Sequence, residues 1–207
     1  MKPYRDAWNT SYLKKGRLYG GATPALPDLP AGTTILDLGC GDGRAIPSMV
    51  RRGWSVTALD ASPAALRLAL RRSGGRSPIS WIRADACCLP FHEASFDAVF
   101  CCHLLGHIPG PGRVRASAEA VRVTRPGGSL FISVFSLRDF RAVSGTEVEP
   151  GTFLRGDGTF THYFSPSEAR SLFPGHETGV ETVSWKLRVR GHDLPREEIR
   201  VRVRKVA

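Results

Sequence analysis

The sequence predicts an α/β domain in three layers, a mostly parallel sheet between helices. Three observations carry this: strand-like apolar runs alternate with helix-like stretches from residue 31, the helix punctuation agrees with that alternation, and the first run ends in a glycine-rich turn. The runs are Thr34–Leu38, Ser55–Leu59, Ile79–Arg83, Phe96–Cys101 and Ser129–Phe135. They are short and apolar on both faces, as a sheet covered on both sides requires. Helices are expected at Arg44–Arg52, Pro63–Arg72 and Arg113–Thr124. Ser62-Pro63 is an N-cap followed by proline at the first helical position, and Gly74-Gly75 stops the same helix. Pro126-Gly127-Gly128 reads as the end of the third helix.

Residues 1–30 read as an irregular N-terminal arm, and 31–207 as the domain proper. Within the domain, residues 138–164 show no clear period and read as a lid-like insertion. Ser165 to Glu168 then forms a capping box that opens a short helix to Phe173. The chain closes in a hairpin over 176–207, where Leu187, Val189, Val201 and Val203 alternate with Lys186, Arg188, Arg190, Arg200, Arg202 and Arg204. Period two predicts an antiparallel pair with its arginines on one wet face.

At 207 residues and 42% hydrophobic, the chain suits one domain with a sizeable core. No apolar run approaches the roughly 18 residues of a membrane span, and no apolar leader is visible, so a cytoplasmic protein is expected. Cys40, Cys87, Cys88, Cys101 and Cys102 read as reduced thiols. Adjacent pairs do not have the spacing of zinc knuckles, so no metal site is expected. The net charge of +10 raises a nucleic-acid partner, but the arginine excess is spread along the chain and decides nothing by itself.

The most informative segment is Ile35-Leu36-Asp37-Leu38-Gly39-Cys40-Gly41-Asp42-Gly43-Arg44. Glycines at alternate positions allow positive φ and let a ligand reach the backbone. The dinucleotide fingerprint G-x-G-x-x-G is incomplete, because Arg44 stands at its third glycine. An acid just before the glycines suits a cationic ligand such as S-adenosylmethionine. Asp60 ends the second strand and can take ribose hydroxyls, while Asp85 follows the third and can hold an adenine amine.

These motifs, with Leu89-Pro90-Phe91, Ser95-Phe96-Asp97-Ala98-Val99 and Arg125-Pro126-Gly127-Gly128, resemble the class I S-adenosylmethionine-dependent methyltransferases, type-eleven group, over about residues 33–137. The resemblance implies a Rossmann-like, seven-stranded sheet in order 3-2-1-4-5-7-6 with strand 7 antiparallel. It implies methyl transfer to a small molecule, with S-adenosylhomocysteine as product. The cofactor residues it implies are Asp37, Gly39, Cys40, Gly41, Asp60, Ala61, Asp85, Ala86 and Cys101. Among these, Gly39 and Gly41 would line the methionine part, Asp60 the ribose, and Asp85 with Ala86 the adenine.

The segment after the fourth strand, Cys101 to Ile108, would border the methyl group, and His103 is the first candidate base. His107 is assigned a structural role. His162 and Tyr163 either reach the pocket from the lid-like segment or form a packed pair at a helix entrance. Trp8, Tyr12 and Tyr19 either cover the cofactor cleft or pack outside the first helices. A tRNA methyltransferase, a non-catalytic cofactor-binding subunit and a nicotinamide oxidoreductase stand as rivals.

Overall fold

The computed structural model describes residues 3–18, 25–74, 79–142, 144–189 and 191–206; Tyr19, Gly75 and Arg190, named above, lie outside them. In chain order the elements are α1 (Pro3–Lys15), β1 (Thr34–Leu38), α2 (Ile46–Arg51), β2 (Ser55–Asp60), α3 (Pro63–Ser73), β3 (Ile79–Arg83) and β4 (Phe96–Cys102). A 3-10 turn at Leu105–His107 leads to α4 (Gly110–Val123) and β5 (Thr124–Phe135). There follow β6 (Thr146–Glu149), β7 (Thr152–Leu154), β8 (Phe160–His162), α5 (Pro166–Ser171), β9 (Glu177–Val189) and β10 (His192–Arg204).

The main sheet runs β3-β2-β1-β4-β5-β10-β9, parallel through β5, with β10 antiparallel to both neighbours. Counted as seven strands, this is 3-2-1-4-5-7-6, as expected. Alternation divides the core between the faces. Leu36, Leu38, Val99, Leu130 and Ile132 pack with Ala116 and Ala120 of α4 and Ala169 of α5. Ile35, Ala98 and Phe100 pack with Ile46 and Met49 of α2 on the other face. Truncating a side chain buried as fully as Leu36 costs about 2–5 kcal/mol.

Local signals acted where they were read. Ser62 accepts the Ala65 N–H at 3.1 Å, and Gly74 closes α3 in the left-handed conformation. Ser165 caps α5 by accepting the Glu168 N–H. Four expectations need correction. Residues 3–15 are helical, because Trp8 and Tyr12, one turn apart, pack on Ala64, Ala65 and Leu68 of α3. Their reward is tertiary, so the segment alone shows little periodicity. The insertion is not shapeless: β6, β7 and β8 form a small antiparallel sheet of strands three and four residues long, too short to show a period.

The hairpin register supplies the third correction. Arg200 stands opposite Glu181 and Lys186 opposite Pro195, so Arg200 and Arg202 share a face with Trp185 and Leu187. Lys186 and Arg188 share the other face with Ile199 and Val201. Among the described residues the basic side chains are divided between the two faces. Likewise α4 stops at Val123, and Gly127 and Gly128 already bond to Lys205 within the sheet. No helix among the described residues is long and apolar enough to cross a membrane.

Candidate active site

The carboxyl ends of β1, β2 and β3 hold three acids in one neighbourhood. Asp60 accepts the Gly41 N–H at 2.9 Å on one oxygen and the Ser62 N–H at 2.8 Å on the other. One carboxylate thus ties the glycine loop to the start of α3, with the Ala61 N–H as a further backbone donor. Burial raises its pKa against the pull of these backbone donors. Asp37, buried behind the loop, is pushed up to about 7 by burial and then by Asp60, opposed by Arg44. Asp85 accepts the Cys87 N–H at 3.1 Å and meets the Arg5 guanidinium of α1 at 3.4 Å.

The loop needs its glycines. A Cβ on Gly41, whose φ is +55°, would lie 2.6 Å from the Tyr12 hydroxyl, and one on Gly39 (φ +78°) would meet Leu104 at 3.0 Å. Tyr12 therefore lies directly over the loop, and Trp8, Tyr12 and Arg5 roof the cavity. Of the two readings of the aromatic arm, Trp8 and Tyr12 satisfy both, since they pack on α3 and face the pocket.

Gly39, Asp60, Ala61, Asp85, Ala86 and His103 line this one cavity. Asp37, Cys40, Gly41 and Cys101 do not. Asp37 and Cys40 are buried beneath the loop, and Gly41 is covered by Tyr12. Cys101 requires correction: strand alternation turns its side chain into the core beside Leu36 and Val99, and Cys102 takes the place on the cavity wall. Burial, and then Asp37, push the Cys102 thiol up to about 12. It is no thiolate at neutral pH, which removes it as a nucleophile.

His103 follows directly in the left-handed region at φ +59°, a conformation that costs a non-glycine residue about 1–3 kcal/mol and clusters at functional sites. Its ring stacks on Phe135 at 4.2 Å, and its Nε2 lies 3.3 Å from the Glu198 carboxylate. Its buried Nδ1 has no hydrogen-bond partner among the described residues. Burial raises the pKa of Glu198, but hydrogen bonds from His103 and Arg200 outweigh that and hold it below the usual range. Glu198 carries no sequence signal; it lies in the hairpin, brought to β5 opposite Phe135 by register alone.

His107 is structural in its contacts. It bonds the Phe160 carbonyl through Nδ1 at 2.8 Å, lies tilted against the Trp8 ring at 4.4 Å, and is lowered by burial to about 4, so it is neutral at pH 7. His162 and Tyr163 do not reach the cavity. His162 bonds Thr152 and Glu168, each at 2.7 Å, inside a network centred on Arg113. Tyr163 is buried against Phe135 and Phe153, with Arg155 on its hydroxyl. The packed alternative is the one observed. Among the described residues no group of three or more His, Cys, Asp or Glu side chains is placed to hold a metal ion.

Comparison with known proteins agrees with this arrangement. Residues 36–132 match a family described as a methyltransferase domain. A ubiquinone biosynthesis O-methyltransferase of Xanthomonas oryzae pv. oryzae (strain PXO99A) is 33% identical over 164 residues, covering 76% of this chain and 67% of that protein. The chain belongs to the S-adenosylmethionine-dependent methyltransferases. A second such O-methyltransferase, from Azoarcus sp. (strain BH72), is 36% identical over 162 residues, 74% of this methyltransferase and 66% of the relative. The chain thus spans about two thirds of the length of these curated relatives. A solved SAM-dependent methyltransferase from Methanosarcina mazei superposes with a TM-score of 0.71 at 26% identity, covering 86% of this chain and 95% of that one.

The donors present fit the cofactor in kind: an open glycine backbone, a doubly anchored carboxylate at the second strand and a third acid beyond it. The space is tight. With α1 in place the cavity measures about 100 Å³, against roughly 300 Å³ or more for ordinary small-molecule sites.

Proposed function

We propose that this methyltransferase acts on an oxygen of a small-molecule acceptor, with His103 as the base. When bound, S-adenosylmethionine supplies a methyl group on a sulfonium, which departs as the neutral thioether of S-adenosylhomocysteine. Gly39 would line its methionine end, with Asp37, Cys40 and Gly41 shaping the loop behind it. Asp60 with Ala61 would take the ribose, and Asp85 with Ala86 the adenine. Ionised Glu198 holds the proton of His103 on Nε2, so that Nδ1 carries the lone pair that accepts the acceptor's hydroxyl proton. Alignment and exclusion of water by Trp8 and Tyr12 supply much of the rest.

The observation that carries this reading is the unsatisfied, buried Nδ1 of a strained histidine, backed by a carboxylate, on the wall of the glycine-loop cavity. The names of the relatives favour oxygen as the atom methylated. In this reading 31–207 is the catalytic domain, 1–30 covers the cofactor, and 138–164 borders the acceptor side. Five cysteines, none of them in a disulfide among the described residues, suit a reducing, cytosolic setting.

Calorimetry with S-adenosylhomocysteine and NAD, followed by methyl transfer to a panel of phenols and catechols, tests it. S-adenosylhomocysteine alone should bind. His103→Gln should lower kcat by about 10²–10⁴-fold and leave product affinity within about three-fold. Full activity in His103→Gln would remove the base; binding of NAD instead would remove the reaction.

A further inference from the structure

A second hollow, of about 1060 Å³, lies across β4, β5, β10 and β9, on the face opposite α4 and α5. It meets the cofactor cavity at Cys102 and His103, which line both. Its floor is aromatic, with Phe100, Phe131 and Phe135 from the central strands and Trp185 from the edge. Five arginines and two glutamates line it. Most of the arginines are engaged. Arg141 and Arg196 share Asp139, at 3.1 and 2.5 Å, and Arg200 lies between Glu198 and Glu181, at 2.7 and 3.6 Å.

Arg202 differs. It is exposed, has no acid within ion-pair distance among the described residues, and holds its guanidinium 5.7 Å over the Phe131 ring. Nη2 of Arg141 is also buried without a hydrogen-bond partner. A cation standing free above an aromatic floor matches a planar ring that ends in a carboxylate.

Resting on the proposed function, we infer that this sheet-face groove binds the methyl acceptor, and that the acceptor is a hydroxylated aromatic acid whose carboxylate meets Arg202 while its hydroxyl lies at His103. The register sets the span. Arg202 pairs with Phe131, which pairs with Phe100, and His103 follows Cys102 on that same strand. The two residues therefore stand two strands across and two to three residues along, roughly 12–14 Å between backbones. Their side chains close part of that distance, which suits a two-ring acid better than a single ring. The guanidinium and the ring floor also give a reason for the open face: a helix laid there would bury Arg202 unpaired.

The probes are 6-hydroxy-2-naphthoate and its uncharged carboxamide, titrated calorimetrically into the full chain with and without saturating S-adenosylhomocysteine. The acid should bind at least about ten-fold more tightly than the amide, on the scale of charge-assisted hydrogen bonds. Arg202→Gln should abolish that preference and leave S-adenosylhomocysteine affinity unchanged. Equal binding of acid and amide, binding of neither, or a preference that survives Arg202→Gln would each overturn the inference, whether or not methyl transfer occurs. Sedimentation supplies an independent check, since a dimer dissociated by Trp185→Arg would assign the face to a second copy of the chain.

Discussion

The two halves of the sheet carry opposite charge in opposite ways. At the ends of β1 and β2 the charge is negative, buried and tied to backbone: Asp60 is fixed by two N–H groups, and Asp37 is sealed beneath the glycine loop. Across β5, β10 and β9 it is mainly positive, spread over long side chains and balanced by acids at the groove's edge. Burial in the first half makes each carboxylate an energetic liability until a cation arrives. The second half is mixed: Arg196 and Glu198 are buried within their ion pairs, whereas Arg202 is exposed and asks for a counterion. A cationic cofactor and an anionic acceptor would each complete one half, and His103 stands at the seam.

The strongest way to break that contrast is Asp60→Ala. It removes the acceptor for the Gly41 and Ser62 N–H groups as well as the proposed ribose contact. A loss of about 1.5–3 kcal/mol in S-adenosylhomocysteine binding is expected, the scale of hydrogen bonds to a charged group. Calorimetry reads it directly, and unchanged affinity in a folded variant would take Asp60 out of the site.

Proton linkage sharpens the contrast next. Asp37 is held at about 7 in the folded chain, well above the ordinary carboxylate value near 4. Folded protein therefore keeps a proton that unfolded chain releases, and this group's contribution makes stability fall as pH rises from about 4 to about 7, then level off. A cationic ligand favours the ionised form, so its binding at pH 6 should release a proton and should strengthen by up to about ten-fold per pH unit towards 7. Titrations in two buffers of different ionisation enthalpy measure the release. Asp37→Asn should abolish it, and an unchanged release would assign the proton elsewhere.

How the two halves could be read from sequence follows from the range of their interactions. β1 and β3 run as expected, and Gly39, Asp60 and Asp85 were legible because strand, turn and acid are neighbours in the chain. Across the sheet, function depends on register. Glu198 reaches His103 only because β10 pairs with β5 at that offset, and nothing near residue 198 announces it. One residue of alternation separates Cys101 in the core from Cys102 on the wall. Helix α1 was illegible for the same reason, since its stabilising surface lies on α3.

That dependence of α1 on a distant partner predicts a smaller effect. Asn9 Oδ1 accepts both the Ser62 hydroxyl and the Ala64 N–H at 3.0 Å, giving α3 a second cap from outside its own sequence. Asn9→Ala should cost about 1 kcal/mol of stability. It should also speed cofactor exchange, because α1 roofs the cavity. Stopped-flow measurement of S-adenosylhomocysteine release checks this; an unchanged rate would mean that α1 does not gate entry.

The smallest effect is expected where the charge is most conspicuous. Lys186 and Arg188 lie on the opposite sheet face from Arg200 and Arg202. Arg188 is 75% exposed, and Asp193 is 4.0 Å from its guanidinium. Exposed pairs of this kind contribute about 0–1 kcal/mol, and basic residues divided between two faces cannot follow one phosphate backbone. The double substitution Lys186→Gln, Arg188→Gln should therefore shift stability by less than about 0.5 kcal/mol and leave turnover of an aromatic acceptor unchanged. RNA supplies the contrary case. If RNA binds, and the slope of log affinity against log salt falls by about one for each charge removed, the hairpin is a phosphate-binding surface, and the contrast between the halves would then reflect a polynucleotide instead of a small acid.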